Sequence, residues 1–375
     1  MIALRVVWLV SGLLLLALPL VKFMHIPEPT RKLFGVERKV VVPAFNMRNF
    51  MSGDFQKLFS EDFAKTFFPR RAFLITRNQI CEWLNFGLFH EGYGQNVLEG
   101  DGGCLFERHY LMFHLQRHEL GENLRYGSLG VLEEIVQKCQ ARGIDVNIIL
   151  APDKVQLCAD EIPLWAPVFG PLTAMDIQAD FKDALAQRGI RAFDAAAYLK
   201  HRQADYAERM FPLAGTHWNA LAAGLVVDRV FDELNAGGGV NRYRVRRFQG
   251  VRAVDRPAYN DDDIGRLLNL WWSPSVSRTV SYRPVFAVGD GVNECGALIF
   301  GDSFSEQVMR IMRDGGYFRS QDIVLCDKRV PTAEEWRRLS GKLKCVTIVF
   351  TTPNFWAVLT SKRWDWHLRQ IRDGV

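Results

Sequence analysis

Residues 299–307 read Ile299-Phe300-Gly301-Asp302-Ser303-Phe304-Ser305-Glu306-Gln307, "IFGDSFSEQ". An apolar run from Ala297 to Phe300 stops at a glycine, and apolar residues at helical spacing follow at Phe304, Val308, Met309 and Met312. The stretch predicts a strand, a tight turn and a helix, the repeating unit of alternating α/β folds. Ser303 has two readings there. As a helix cap, its oxygen accepts a bond from an unsatisfied N–H of the first turn. As a nucleophile, it stands at the carboxyl end of a strand, where open α/β sheets bind their ligands. The nine residues alone do not separate the two.

The same alternation runs through the rest of the chain. A helix is expected over Leu129 to Arg142, then a buried strand, Val146 to Leu150, ending at Ala151-Pro152-Asp153. A helix near Ile177 to Gln187, a strand at Ile190 to Phe193 and a helix from Asn219 to Leu234 follow. Beyond Ser303 come a strand at Ile323 to Cys326, a helix at Thr332 to Leu339 and a strand at Val346 to Phe350. This order implies an α/β domain with a mostly parallel sheet and helices on both faces, spanning 96–375. Residues 240–296 show no clear period and read as an irregular insertion. Val97 to Phe106, two short apolar segments around a Gly/Asp turn, reads as a hairpin. Residues 25–95 form a linker and a helical lead-in, with helical spacing at Phe55, Phe59, Phe63 and Phe67, then Ile80, Trp83, Leu84 and Leu88, broken at Pro69.

The amino-terminal 24 residues are of another kind. Val6 to Val21, "VVWLVSGLLLLALPLV", is apolar except for Ser11 and has no small-x-small cleavage site after it. It is read as an uncleaved signal anchor, although Lys22, Arg31, Lys32, Arg38 and Lys39 follow the segment and outnumber the positive charges before it.

With 375 residues, 48% hydrophobic and 24% charged, the chain is long enough to bury a large core. Its net charge of +5 is spread along the sequence without a basic run, which argues against a nucleic-acid partner. Seven cysteines lie without CxxC or zinc-ribbon spacing. An odd number cannot all pair, so the expectation is buried thiols with room for one bridge. His114 and His118 are four apart, but no Glu follows His114 as HExxH requires, so no metal and no cofactor is expected.

A nucleophilic serine needs a base. Of eight histidines, His217 stands out, in Gly215-Thr216-His217-Trp218-Asn219, a loop that opens a helix. At this point five pieces, in order, resemble the alginate O-acetyltransferase family. They are "SGDFQKLFSEDFAKTFFPRR" (Ser52 to Arg71), "VLEGDGGCLFERHYL" (Val97 to Leu111), "APDK" (Ala151 to Lys154), "GTHWN" (Gly215 to Asn219) and "GDSFS" (Gly301 to Ser305). Together they cover most of residues 50–320, and the second has Cys104 where the family usually has Trp.

The resemblance implies an SGNH-hydrolase-like fold and a periplasmic protein, held at the bacterial inner membrane by its amino-terminal helix, that esterifies a secreted exopolysaccharide with acetyl groups. The donor it implies is a multi-spanning membrane-bound O-acyltransferase. Ser303 would be the nucleophile and His217 the base, with Gly301, Asp302 and Gly215 orienting groups or oxyanion candidates. The oxyanion would rest on N–H groups at the start of the helix after Ser303. Trp218, Asn219, Trp271 and Trp272 are candidates for sugar contact, with core packing as the alternative. One position departs from the family. Its histidine motif reads Asp-x-His-Trp, and Gly215 stands in place of the Asp that orients the imidazole. A backbone carbonyl, or a carboxylate from elsewhere with Asp205 and Glu208 near in sequence, would orient the ring instead. Three readings follow: an O-acetyltransferase, an acetyl esterase of the same fold, or a non-catalytic scaffold that binds polysaccharide or partner.

Overall fold

The computed structural model describes residues 33–34, 41–66, 70–84, 96–115, 128–162, 174–237, 243–255, 260–289, 293–360 and 362–375. The expected membrane anchor lies outside them. Among the described residues no helix is long and apolar enough to cross a membrane.

The strands are β1 (Val97–Glu99), β2 (Leu105–Glu107), β3 (Asp145–Ala151), β4 (Ala192–Asp194), β5 (Phe248–Val254), β6 (Ser281–Phe286), β7 (Gly296–Gly301), β8 (Ile323–Asp327) and β9 (Leu343–Thr351). The helices that matter below are α1 (Asp54–Thr66), α2 (Arg70–Trp83), α3 (Arg108–Leu115), α4 (Ser128–Ala141), α5 (Lys154–Leu157), α6 (Ala174–Ala186), α7 (Ala195–Arg202), α8 (Ala220–Gly237), α9 (Ser305–Asp314), α10 (Ala333–Leu339), α11 (Thr352–Thr360) and α12 (Lys362–Gly374).

Five strands form one parallel sheet in the order β4-β3-β9-β7-β8. From β3 the chain steps outward one way to β4, and from β7 the other way to β8. β9 closes the gap between them. Such a reversal leaves a crevice at the carboxyl ends of the central strands. Side chains alternate across the sheet. Ile148, Leu150, Leu298, Phe300, Val346, Ile348 and Phe350 point into one cluster with Leu132 and Ile135 of α4, Phe181 of α6, Phe355 of α11 and Leu368 of α12. Ile149, Ile299 and Val349, on the other face, are just as buried. There α9 packs on β7, β8 and β9, and α8 packs on α9. The α/β class expected from the alternation is what the chain adopts.

The chain divides into two compact units. One comprises residues 1–98 and 265–277, the other 99–264 and 278–375. The first holds α1, α2 and the 265–277 segment. Within it Trp271 Nε1 donates to Thr76 Oγ1, the Trp272 amide to Gln79 Oε1, and Asn78 Nδ2 to the Leu268 carbonyl. The second holds the parallel sheet.

The segment expected to be irregular, 240–296, contains an antiparallel ribbon of β5 and β6. Its alternation is broken by a bulge at Gly250, whose φ is +130°, and by partly buried residues between exposed arginines such as Arg252 and Arg283. It packs on α8, where a Cβ on Gly224 would lie 2.4 Å from the Phe248 ring. Such a strand pair carries little period-2 signal.

Candidate active site

The turn after β7 is built by its own aspartate. Asp302 is fully buried, and its Oδ1 accepts the Phe304 amide at 2.9 Å. Its Oδ2 accepts three more bonds, from the Thr351 amide and hydroxyl, each at 2.9 Å, and from Asn354 Nδ2 at 2.7 Å. The carboxylate thus ties the turn to the end of β9 and the start of α11. Being an acceptor only, it positions Ser303 and cannot serve as an oxyanion donor. Gly301 is required for the same closeness, since a Cβ there would meet the Val349 carbonyl oxygen at 1.8 Å.

Ser303 does not cap the helix. Phe304 stands at the N-cap of α9 and no side chain caps it. Among the described residues neither the hydroxyl nor the amide of Ser303 makes a hydrogen bond, and the residue is half-buried. The oxyanion expectation changes with this. The amides of Phe304, Ser305 and Glu306 are occupied by Asp302 Oδ1, the Asp302 carbonyl and the Ser303 carbonyl respectively. The Ser303 amide is the donor that the turn leaves over.

The second part of the site is the loop 212–219. His217 Nδ1 lies 2.8 Å from Asp263 Oδ2, and Asp263 Oδ1 accepts the Thr216 amide at 2.7 Å. The orienting carboxylate therefore comes from the segment after α8, 46 residues away, and from neither Asp205 nor Glu208. Asp205 pairs with Arg202 instead, at 3.0 Å. The loop has closed over the place the family's Asp would take. A Cβ on Gly215 would lie 2.6 Å from Pro212 Cγ and 2.7 Å from the Asp261 carbonyl oxygen. With Nδ1 donating to Asp263, Nε2 is free to accept a proton. That Nε2 is buried and has no hydrogen-bond partner.

Two contacts carry the loop to the serine turn. The His217 and Phe304 rings are 4.9 Å apart, and Trp218 Nε1 donates to the Phe304 carbonyl at 3.1 Å. Phe304 directly follows Ser303. From the other side, Lys154 at the start of α5 grips the loop. Its buried ammonium donates to the carbonyls of Pro212 at 2.6 Å, Leu213 at 2.8 Å and Gly215 at 3.0 Å. Asp153 in turn caps α5 and meets buried His114 of α3 at 2.5 Å. His118, four residues on, lies outside the described residues, among which no group of metal ligands occurs.

Charge tunes the imidazole. Burial works to lower the His217 pKa, but the hydrogen bond and charge of Asp263, with Asp302 and Glu107 beyond, raise it above the ordinary histidine value. Burial pushes Asp261 up to about 7 and raises Glu107 as well.

The remaining sugar-contact candidates separate. Trp218 has no exposed surface and packs between the loop and the turn, so it offers no face to a sugar. Asn219 is also fully buried, and its Oδ1 caps α8 through the amides of Leu221 and Ala222. Trp271 and Trp272, in the first unit, are 52% and 58% exposed. Sequence reasoning missed Asp263 and Lys154. The run Asn260-Asp261-Asp262-Asp263 was the one available signal for the former.

A five-stranded parallel α/β sheet with a serine turn and an Asp–His pair after its strands has the architecture of the SGNH-hydrolase-like folds. More specifically, the chain belongs to the family described as SGNH hydrolase-like domain, acetyltransferase AlgX, whose model matches residues 97–306, more than half of the sequence. Solved structures with a similar fold include the O-acetyltransferase domain of Pseudomonas putida AlgJ, at 14% identity over 75% of this chain and 99% of that one, with a TM-score of 0.49. Bacillus cereus PatB1 is 11% identical over 72% of this chain and 98% of its own, with a TM-score of 0.48. Pseudomonas aeruginosa AlgX is 12% identical over 68% and 61%, with a TM-score of 0.43. No curated protein matches the sequence.

Proposed function

We propose that the chain is a serine O-acetyltransferase that moves an acetyl group through acyl-Ser303 to hydroxyls of a secreted, alginate-like exopolysaccharide. The observation that carries this reading is the Asp263–His217 pair, whose Nε2 is unpartnered and whose ring lies 4.9 Å from that of Phe304, the residue after Ser303. In the first half-reaction His217 Nε2 takes the Ser303 proton as Oγ attacks the acetyl carbonyl, and the imidazolium returns it to the leaving group. In the second, a sugar hydroxyl attacks the acyl-serine while giving its proton to Nε2, and Ser303 leaves with that proton. The Ser303 amide holds the oxyanion in both steps. Asp263 replaces the family's Asp in function, which favours an active enzyme over a scaffold.

The rest of the proposal extends the family resemblance beyond the matched domain. The protein works in the periplasm, anchored at the inner membrane by residues 1–24, and receives acetyl from a multi-spanning O-acyltransferase. Trp271 and Trp272 supply exposed rings for stacking on sugars.

The test is incubation of the soluble part, residues 25–375, with p-nitrophenyl acetate and an oligouronate, followed by intact mass. An acetyl adduct that is lost in Ser303→Ala and His217→Ala, and that passes to the oligosaccharide, supports the proposal. Release to water alone would make the protein an esterase. Folded protein without adduct or turnover would return it to the scaffold reading.

A further inference from the structure

Two of the seven cysteines converge beneath the histidine loop. Cys104, fully buried, precedes β2, and Cys158, 8% exposed, follows α5. Arg209 Nη2 lies 3.7 Å from Cys104 Sγ and 3.9 Å from Cys158 Sγ, while the same nitrogen meets Glu161 at 2.7 Å. Each thiol is also among the groups that shift the other's titration. The segments that carry them also approach closely, since a Cβ on Gly100 would lie 1.9 Å from the Glu161 carbonyl oxygen. Both are free thiols here.

We infer that Cys104 and Cys158 are a redox pair that closes to a disulfide and so fastens the base of the histidine loop. The geometry gives each sulfur its role. Cys158 is the more accessible one. The interaction with Cys104, with the Lys154 and Arg209 charges nearby, outweighs its burial and holds its pKa below the ordinary thiol value. The oxidant is a disulfide, acting by exchange. The Cys158 thiolate attacks one of its sulfurs, expels a thiolate and forms a mixed disulfide. Cys104 Sγ then attacks Cys158 Sγ and expels the second thiolate. Two protein thiols are oxidised by two electrons, the oxidant becomes two thiols, and these carry away both protons.

The link joins two grips on one carbonyl. The Leu105 amide, next to Cys104, donates to the Leu213 carbonyl at 2.8 Å, and so does Lys154, whose own carbonyl accepts the Cys158 amide. A bridge closing a loop of 54 residues constrains the unfolded chain substantially.

The experiment treats reduced, folded protein with oxidised glutathione, then denatures it and alkylates the remaining thiols before mass spectrometry. Loss of two alkylatable thiols, a proteolytic peptide pair joined through Cys104 and Cys158, and a melting temperature higher by about 5 °C are expected. In Cys104→Ser, glutathione should stay attached to Cys158, because no thiol resolves it. All seven thiols still alkylated, a bridge between other cysteines, or stable glutathione on Cys158 of the wild-type chain would overturn the inference. The wild-type mapping decides even if the variant does not fold, and none of these readouts depends on acyl transfer.

Discussion

The serine turn and the histidine loop meet at Phe304, yet they are built in opposite ways. The turn is closed by its own residue, since Asp302 receives the amide two positions on and reaches out only to β9 and α11, next to which β7 lies in the sheet. The loop makes almost nothing of itself. Its carbonyls are held by Lys154, its histidine is aimed by Asp263, and its glycine makes room for the Asp261 carbonyl. A catalytic element can thus be written locally or assembled from distant segments, and only the first kind survives the loss of one remote partner.

The sharpest test of this difference moves the orienting carboxylate. Asp263→Asn removes the charge that fixes the imidazole tautomer, and kcat for p-nitrophenyl acetate should fall by about four orders of magnitude with the fold intact by circular dichroism. Adding Gly215→Asp to that variant should not restore activity, because the Cβ alone has no room. Recovery in the double variant would show that the loop still accepts the family arrangement and that the contrast drawn above is wrong.

The uneven legibility of the sequence has the same origin. Strand, turn and helix around Ser303 could be read because their periodicity and punctuation lie within nine residues, and the parallel sheet followed from that unit repeated. The family motif pointed to His217. Asp263 was out of reach because a contact across 46 residues leaves no period, and the ribbon that delivers its neighbourhood is bulged and half-exposed. Lys154 was quoted within a motif, but its role depends on burial, which a lysine does not advertise. Trp218 shows the converse. Beside a histidine it admits both a sugar platform and core packing, and burial decides for the second, as the wedge between loop and turn. The helices α11 and α12, which complete one face of the core, were not anticipated at all.

Next in size come the two anchors. Asp302→Ala strands the Thr351 amide and hydroxyl and the Phe304 amide in a buried place, at a cost of about 3 kcal/mol in chemical denaturation. Lys154→Met removes the donor of the Gly215 carbonyl, while those of Leu213 and Pro212 keep the Leu105 and Gly215 amides, and it removes a buried charge, so its cost in stability should be smaller, about 2 kcal/mol. The contrast predicts different patterns in kinetics. Because Lys154 holds three carbonyls of the histidine loop at once, the methionine variant should lose kcat even where it remains folded. A Lys154→Met enzyme with normal kcat would mean that the loop keeps its shape without the ammonium. Gly215→Ala should cost about 1–3 kcal/mol through overpacking, read in the same titration.

The smallest effect is a shift along the pH axis, and its sign follows from the loop's electrostatics. Only the neutral imidazole accepts a proton from Ser303, so acylation should be weak at acid pH and rise as pH increases through the His217 pKa. Burial lowers that pKa, but Asp263 and the more distant carboxylates raise it further, so the rise is centred above the ordinary histidine value. Stability runs the other way. A raised folded-state pKa contributes stability that is complete below the unfolded pKa and is lost as pH climbs through the folded one. Activity and stability should therefore cross in the same window. Glu107→Gln removes one of the weaker raising charges and should move the activity midpoint slightly to lower pH, by less than the residual activity of Asp263→Asn shows. A midpoint that moves for Glu107→Gln and stays fixed for Asp263→Asn would remove Asp263 from its place as the partner that sets the charge of His217.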